Sequence, residues 1–504
     1  MQENSLIYSR SMADVRRVDW RIEIAFERQF DPLKQFFTIE DSAIGGPDII
    51  RGSDDVLQDW DKYIYTDYSD RIVDVAVDRE ENPRWSVSMA MADFTLNNYD
   101  GLFDPDGDSP LVEYMYRSRP VRIFMGFDGE FVQVFTGLTE KMALVDEKTK
   151  TVQFHCVDFF STLLEREVDA SIYFLDKRTD EILSELYEDA GLLPTQYDFD
   201  RGYNTIPFFY VRRGRHLLSL TQELMEAEQG RIFMSETGRL VFKNRANYSN
   251  DPVYRFDAYQ NIIEAHKRRE DDIVNHITIT SERRVLQPNA EYWTAPETYT
   301  VPFGRSLDVW ASFEDPVVSV DTPVQDAVGA SSFTLSSGSD VTLTDFDVFT
   351  DSVKMVFTNS GTSNIDITSI VLYASAATIA ETIVTTEQDA TSIERHGTRH
   401  ININNPYFQS DSDASTRALA LLVDYSEFGA ISDIDVKGTP QLQLGDVVIV
   451  DLYNRINLLR ISKISMSMVA PGVFYQKLRV KEFNPISYFT IEQSAIGGED
   501  AILS

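Results

Sequence analysis

Two stretches of this 504-residue chain carry metal-ligand residue types at close spacing. Asp104-Pro-Asp-Gly-Asp108 places three carboxylates within five residues, the density a calcium loop uses. Counted from Asp104, the glycine comes too early, and the twelfth position, where such a loop needs a bidentate glutamate, is Met115. A turn rich in Asp and Gly is the expected reading. His396-Gly-Thr-Arg-His400 has histidines four apart, a spacing that holds zinc on a helix. Gly397 stands where a metalloprotease carries its glutamate, and the following Ile-Asn-Ile-Asn is patterned as a strand. The remaining histidines, His155, His216, His266 and His276, have no cysteine or paired carboxylate at ligand spacing. No metal and no cofactor are expected.

Nucleophilic chemistry has little to start from. Cys156 is the only cysteine and lies in the alternating run Val152-Gln-Phe-His-Cys-Val157, which fits a buried packing residue. The chain has no Gly-x-Ser-x-Gly elbow, phosphate loop, dinucleotide fingerprint or Cys-x-x-Cys. Among 81 acidic residues no carboxylate pair is set apart by its surroundings as an acid and base. No catalytic residue is expected. Two basic clusters, Arg212-Arg-Gly-Arg215 and His266-Lys-Arg-Arg269, interrupt an otherwise acidic chain. Glu270, Asp271 and Asp272 follow the second at once, so salt bridges between subunits or a solvated face are expected.

The net charge of −35 argues against nucleic-acid binding through phosphate neutralisation and against attraction to an anionic membrane. A lone cysteine excludes an internal disulfide framework and fits folding in a reducing cytoplasm. No run approaches about 18 apolar residues, and Met1-Gln-Glu-Asn-Ser lacks a basic n-region, so neither a spanning helix nor a signal peptide is expected.

Strand patterning dominates the elements. Val18, Trp20, Ile22, Ile24 and Phe26 alternate, as do residues of Ile72-Val-Asp-Val-Ala-Val77. Trp85, Val87 and Met89, then Phe94 and Leu96, are assigned to one buried strand face. Asn98-Tyr-Asp-Gly101 and Phe127-Asp-Gly129 supply turns, and Pro120 precedes a strand. A short helix is placed around Phe159–Leu164, and longer ones over 180–191, 217–229 and 412–425, with Gly191 and Gly230 as stops. Arg231 to Phe242 reads as a hairpin turning at Thr237-Gly238. Between Pro316 and Ala390 the chain is rich in Ser, Thr and Asp, with short strands at Val341, Val353 and Asn364. That composition predicts an inserted antiparallel sandwich.

The most specific residue pattern runs from Ala92 to Gly137. It reads Ala92-Asp-Phe-Thr-Leu-Asn-Asn-Tyr-Asp-Gly-Leu-Phe103, then Ser109-Pro110, Arg119-Pro-Val-Arg-Ile123, the Asp128-Gly129 hairpin and Phe135-Thr-Gly137. This order resembles the first tube domain of the tail hub proteins of long-tailed bacterial viruses. Those hubs are related in fold to the baseplate hub of contractile tails. Glu226-Ala-Glu-Gln-Gly230 with Arg239-Leu-Val-Phe242 is similar to the small α/β domain that follows it. Leu442-Gln-Leu-Gly-Asp-Val-Val448 is similar to the closing part of the second tube domain. The likeness covers most of the chain as an order of domains and three short blocks as residue patterns.

The resemblance implies a mainly β, multidomain protein with two tube-type β-barrels, a small α/β domain and an inserted antiparallel β-sandwich. The implied division is 1–168 for the N-terminal segment and first barrel, and 169–254 for the α/β domain. The second barrel takes 255–315 plus 391–480, the sandwich 316–390 and a C-terminal docking tail 481–504. It implies a structural protein of the virion tail tip, assembled in the host cytoplasm. A homotrimeric ring would join the six-fold tube to a three-fold tip and form the channel for genome ejection. Partners would be the distal tail or tube protein, the tape measure protein and tip or fibre proteins, with DNA only in transit and no stable membrane insertion. A tail-associated wall hydrolase and a host glycan- or receptor-binding tail protein are the alternatives.

One repeat stands outside this frame. Phe37 to Ile50 and Phe489 to Ile502 agree at eleven of fourteen positions. Each spaces apolar residues along an extended run, ends in Gly-Gly, and then has an acid. Phe37, Ile39, Ile44, Gly45, Gly46 and Asp48, with Phe489, Ile491, Ile496, Gly497, Gly498 and Asp500, are the expected protein-docking residues, acting by strand addition.

Overall fold

A computed structural model describes residues 17–26, 63–80, 88–164, 166–169, 171–244, 251–257, 261–269, 273–426, 430–452, 455–470 and 473–482. The described residues are mainly β, 52% strand and 15% helix, distributed over several sheets. No sheet closes into a barrel among the described residues.

The first unit comprises β1 (Asp19–Ile24), β2 (Thr66–Asp67), β3 (Ile72–Glu80), β4 (Ala90–Asn97), β5 (Pro120–Phe127), β6 (Glu130–Thr139), β7 (Leu144–Asp146) and β8 (Thr151–Asp158). Alternation sets its buried face: Ile22 and Ile24, Val75 and Val77, Phe94 and Leu96 all point inward. Met89 does not share that face. It is exposed, while Ala90 and Ala92 face the core in phase with Phe94. The two heavier residues fix the register, and the small alanines follow. Asp128 and Gly129 both take positive φ, which closes a two-residue hairpin between β5 and β6.

A helical segment follows. Helix Phe160–Leu164, β9 (Ile172–Arg178), helix Thr179–Asp189, β10 (Tyr197–Phe199), β11 (Thr205–Val211), helix Leu217–Glu228, β12 (Arg231–Met234) and β13 (Leu240–Lys243) share a second core. Helix Thr179–Asp189 stops at Gly191, as the sequence predicts. Helix Leu217–Glu228 stops differently: Gln229, not Gly230, takes the left-handed conformation. Gly230 is needed for space, since a Cβ there would lie 2.5 Å from the Phe242 ring.

The chain then returns to the first sheet with β14 (Tyr254–Asp257) and β15 (Ile262–Arg269). It leaves again through β16 (His276–Leu286) into an outer body. That body holds β17 (Ala290–Thr294), β18 (Tyr299–Val301), β19 (Ser306–Ser312), β20 (Val317–Val320), β21 (Val324–Gln325), β22 (Ser332–Leu335), β23 (Val341–Val348) and β24 (Ser352–Asn359). The long β25 (Ile365–Gln388) starts there and runs back antiparallel to β16. Two sheets enclose the outer core, one built on β25 and one of β19, β24 and β23. Helix Ala390–His396, β26 (His400–Asn404) and helix Asp411–Tyr425 complete the return. Ser410 caps the last helix through the Asp413 N–H, and Ala414, Ala418, Leu421 and Leu422 are its buried side.

The strands β27 (Ala430–Val436), β28 (Val447–Leu452), β29 (Arg455–Ala470) and β30 (Val473–Glu482) rejoin the first unit in one fourteen-stranded sheet. Its core is continuous: Trp20 on β1 meets Phe474 on β30 edge-on, at 6.4 Å between ring centroids.

Candidate assembly surface

The large sheet contains the same layout twice. The strand order is β3-β4-β8-β6-β5-β1 in one half and β15-β27-β30-β29-β28-β14 in the other. Even the irregularities match. Ile72 faces Leu96 and the register slips before Asp74 faces Thr95; Ile262 faces Val436 and slips before Glu264 faces Asp435. The halves differ at one end, where β1 is antiparallel to β5 and β14 is parallel to β28. They also differ in what joins equivalent strands. The first half crosses from β3 to β4 over residues 81–89, whereas the second places β16 to β26 and two helices between β15 and β27.

The halves are joined edge to edge. The C-terminal part of β29 pairs antiparallel with β3, from Lys463–Glu80 to Ser467–Ala76. Charge crosses this seam on the wet face. Glu80 accepts from Lys463 at 2.9 Å and Arg479 at 2.7 Å, Arg479 also reaches Asp433 at 2.9 Å, and Ser465 bonds Asp78. On the inner side the β12–β13 hairpin tip closes the joint. Glu236 pairs with Arg79 on β3, both almost fully buried, and accepts from Gln443 Nε2 at 2.9 Å. Thr136 on β6 donates to the Glu236 carbonyl at 2.6 Å.

Several residues carrying the sequence resemblance have structural tasks. Asn98 Oδ1 accepts the Phe103 N–H at 2.9 Å, which folds Phe103 into an aromatic cluster with Phe26, Tyr68 and Phe154. Asp100 takes both Arg71 guanidinium nitrogens, at 2.8 and 2.7 Å, and this hydrogen bonding lowers its pKa to about 2. Gly137 allows β6 to approach β8, since a Cβ there would lie 2.2 Å from the Val157 carbonyl. Glu228 is fully buried and accepts the Tyr203 and Asn204 N–H groups at 2.8 Å each and the Thr179 hydroxyl at 2.9 Å. Asp446 Oδ2 accepts the Gln443 N–H at 2.9 Å in the turn leading to β28.

Asp104 Oδ1 accepts the Asp106 N–H at 3.0 Å, making the acidic stretch a turn. His396 ends a helix and His400 opens β26, where its ring lies against His276. Cys156 is buried on β8, and burial pushes its thiol well above the usual range. The first basic cluster lies on a solvated face, with Arg212, Arg213 and Arg215 all exposed. Arg212 donates to the Glu314 carbonyl at 2.9 Å and Arg215 pairs with Glu223 at 2.7 Å, so these guanidiniums hold parts of one chain together. The second cluster lies on β15. A cleft of about 250 Å³, lined by Tyr210, Arg212, Arg215, Glu282, Arg284 and Tyr407 among others, offers one carboxylate. It does not present the carboxylate pair of glycosidase chemistry. The twelve docking residues of the paired segments lie outside the described residues.

No protein-family profile and no curated protein matches the chain. Among solved structures it is similar to the 43 kDa tail protein of prophage MuSo2 from Shewanella oneidensis, with 12% identity over 84% of this chain and 96% of that one, at a TM-score of 0.45. A tail protein from Neisseria meningitidis aligns at 11% identity over 83% and 93%, with a TM-score of 0.46. A type VI secretion component of E. coli, described as structurally similar to the T4 bacteriophage tail proteins gp27 and gp5, aligns at 7% identity over 82% and 74%, with a TM-score of 0.39. The structural neighbours are thus phage and prophage tail proteins and hub-like proteins.

Proposed function

We propose that this protein is the hub of a virus tail tip, a structural ring of three copies around the channel through which the genome leaves. The observation that carries this reading is the duplicated sheet. Two equivalent halves fused side by side make each chain a double unit, so three chains present six similar units to a six-fold tube and three to a three-fold tip. Barrel closure then belongs to the ring rather than to the chain. The distal tail or tube protein sits above, the tape measure protein ends at the ring, and tip or fibre proteins sit below.

The wet face of the large sheet lines the channel in this arrangement. It carries Asp74, Asp78, Glu80, Asp93, Glu264, Asp433 and Asp435 against Lys463, Lys477, Arg479 and Lys481. Such a wall does not retain a phosphate backbone in transit. The paired segments 37–50 and 489–502 serve as strand-adding tails that dock in equivalent grooves on neighbouring hub copies or a tail partner. A specific observation favours an added role for the outer body in gripping a host glycan or receptor: Trp310 is half exposed and stacks on Phe349 at 6.1 Å.

Sedimentation equilibrium and electron microscopy of the purified chain test the reading. The expected particle has about three times the 57.5 kDa chain mass and a central hole. A chain that remains monomeric at high concentration and in virions defeats it.

A further inference from the structure

Each half of the large sheet has an edge that the other half could fill, yet only one of the two possible joints forms within the chain. The equivalence runs residue by residue. One row across the second half reads Glu264, Asp435, Lys477, Ser465, and the matching row of the first reads Asp74, Thr95, Gln153, Leu144. Leu144 on β7 therefore stands where Ser465 stands on β29, and β15 stands where β3 stands. Ser465 continues the row to Asp78 on β3. Leu144 continues to nothing among the described residues: β7 pairs only with β8, and β15 only with β27. Met142 and Leu144 are 60% and 68% exposed beside that open edge.

We propose that β15 of one copy adds antiparallel to β7 of the next, in the register that β3 keeps with β29. This rests on the ring reading above and assigns its joint. The rows place Arg268 opposite Leu144 and Lys267 opposite Val145. The joint is head-to-tail, so it propagates from copy to copy and makes a ring when the rotation closes. It removes both open edges, which an exposed sheet cannot safely leave unpaired.

By the same rows the joint within the chain sets Asp78 opposite Ser465, and the joint between chains sets Arg268 opposite Leu144.

Two experiments on the full chain test it. Cys156 is buried, so added thiols react alone. Val145→Cys with Lys267→Cys, and Leu144→Cys with Arg268→Cys, are the two neighbouring in-register pairs, and antiparallel geometry brings one of them close enough to bridge. Mild oxidation should give a covalent three-chain species with at least one pair, and at most a tenth as much with the off-register pair Leu144→Cys, His266→Cys. Leu144→Arg should weaken association at least tenfold, and adding Arg268→Glu in the same chain should restore it. If rings of the expected mass form but neither in-register pair cross-links, or Leu144→Arg leaves association unchanged, this joint is wrong and the ring stands. If the unaltered chain is monomeric, the ring reading itself falls and takes the joint with it.

Discussion

Glu228 and Asp158 show how buried carboxylates serve the fold here. Glu228 satisfies three donors from two separate segments. Removing it leaves those donors in the core without an acceptor, each at a cost of about 1–3 kcal/mol. Glu228→Ala should therefore lower urea-unfolding stability by roughly 3 kcal/mol or more, and Glu228→Gln, which keeps one acceptor oxygen, by clearly less. Equal losses would mean that the hydrogen bonds are not the cause. Asp158 is buried under helix Phe160–Leu164 and accepts the Ala90 and Phe160 N–H groups at 2.6 and 3.1 Å. Burial pushes its pKa up to about 7, against those donors and the Arg79 charge. The folded chain then holds a proton that the unfolded chain, titrating near 3.8, has released. Stability from this group is full below the unfolded value and falls as pH rises towards 7, by at most about 1.4 kcal/mol per pH unit. Asp158→Asn should remove that slope, so the stability difference between variant and parent should change between pH 4 and 7 and level off outside. Parallel pH curves would show that Asp158 does not titrate there.

At the scale of elements, the outer body is a detachable insertion on a two-strand stalk. The β16–β25 ribbon leaves the inner core, and the Gln287 N–H donates to the Ala376 carbonyl at 2.8 Å where the outer sheets begin. Polar contacts tie it to the inner domain: Thr350 to the Ser171 carbonyl at 3.1 Å, Tyr173 to the Val318 carbonyl at 3.1 Å, Arg212 to the Glu314 carbonyl at 2.9 Å and Arg284 to Asp315 at 3.2 Å. Replacing residues 288–375 by Asn-Gly should close the ribbon with a favoured hairpin turn. The shortened chain should fold and assemble into the same number of copies, while virions carrying it lose host attachment. Aggregation of the shortened chain, or failure to assemble, would assign the outer body to the ring itself.

At the scale of the molecule, the proposed reading assigns the terminal segments and the sheet edges two separate kinds of contact. Replacing Ile496 by Asp and Gly497 by Val should leave the fold and the ring mass unchanged, because neither residue lies in the described sheets. It should reduce joining of the hub to other tail components, read as free hubs in lysates of the variant virus. Unchanged tail yield would dismiss the docking role of that segment.

Much of the element structure was legible from local pattern. Alternation at Val18–Phe26, the Asp128-Gly129 turn and the apolar side of helix Asp411–Tyr425 each involve residues close in sequence, whose periodicity and turn chemistry act before any tertiary contact forms. The sequence by itself also determined the absence of a disulfide framework and the acidic charge. Tertiary structure alone decided three things. Met89 faces outward because Phe94 and Leu96 set the phase of their strand. Arg212 and Arg215 lie on the exposed face the sequence suggests, but only folding brought Glu314 and Glu223 beside them. The resemblance implied two tube-type units, but the repeated sheet could not be read from residue patterns, because a half requires only apolar alternation on one side and a bulge at one place, both of which tolerate nearly any sequence. Val77 and Lys267 share a register position, as do Asp78 and Arg268. Backbone pairing keeps the row whatever charge the residues carry, and only the folded sheet reveals that the rows are the same.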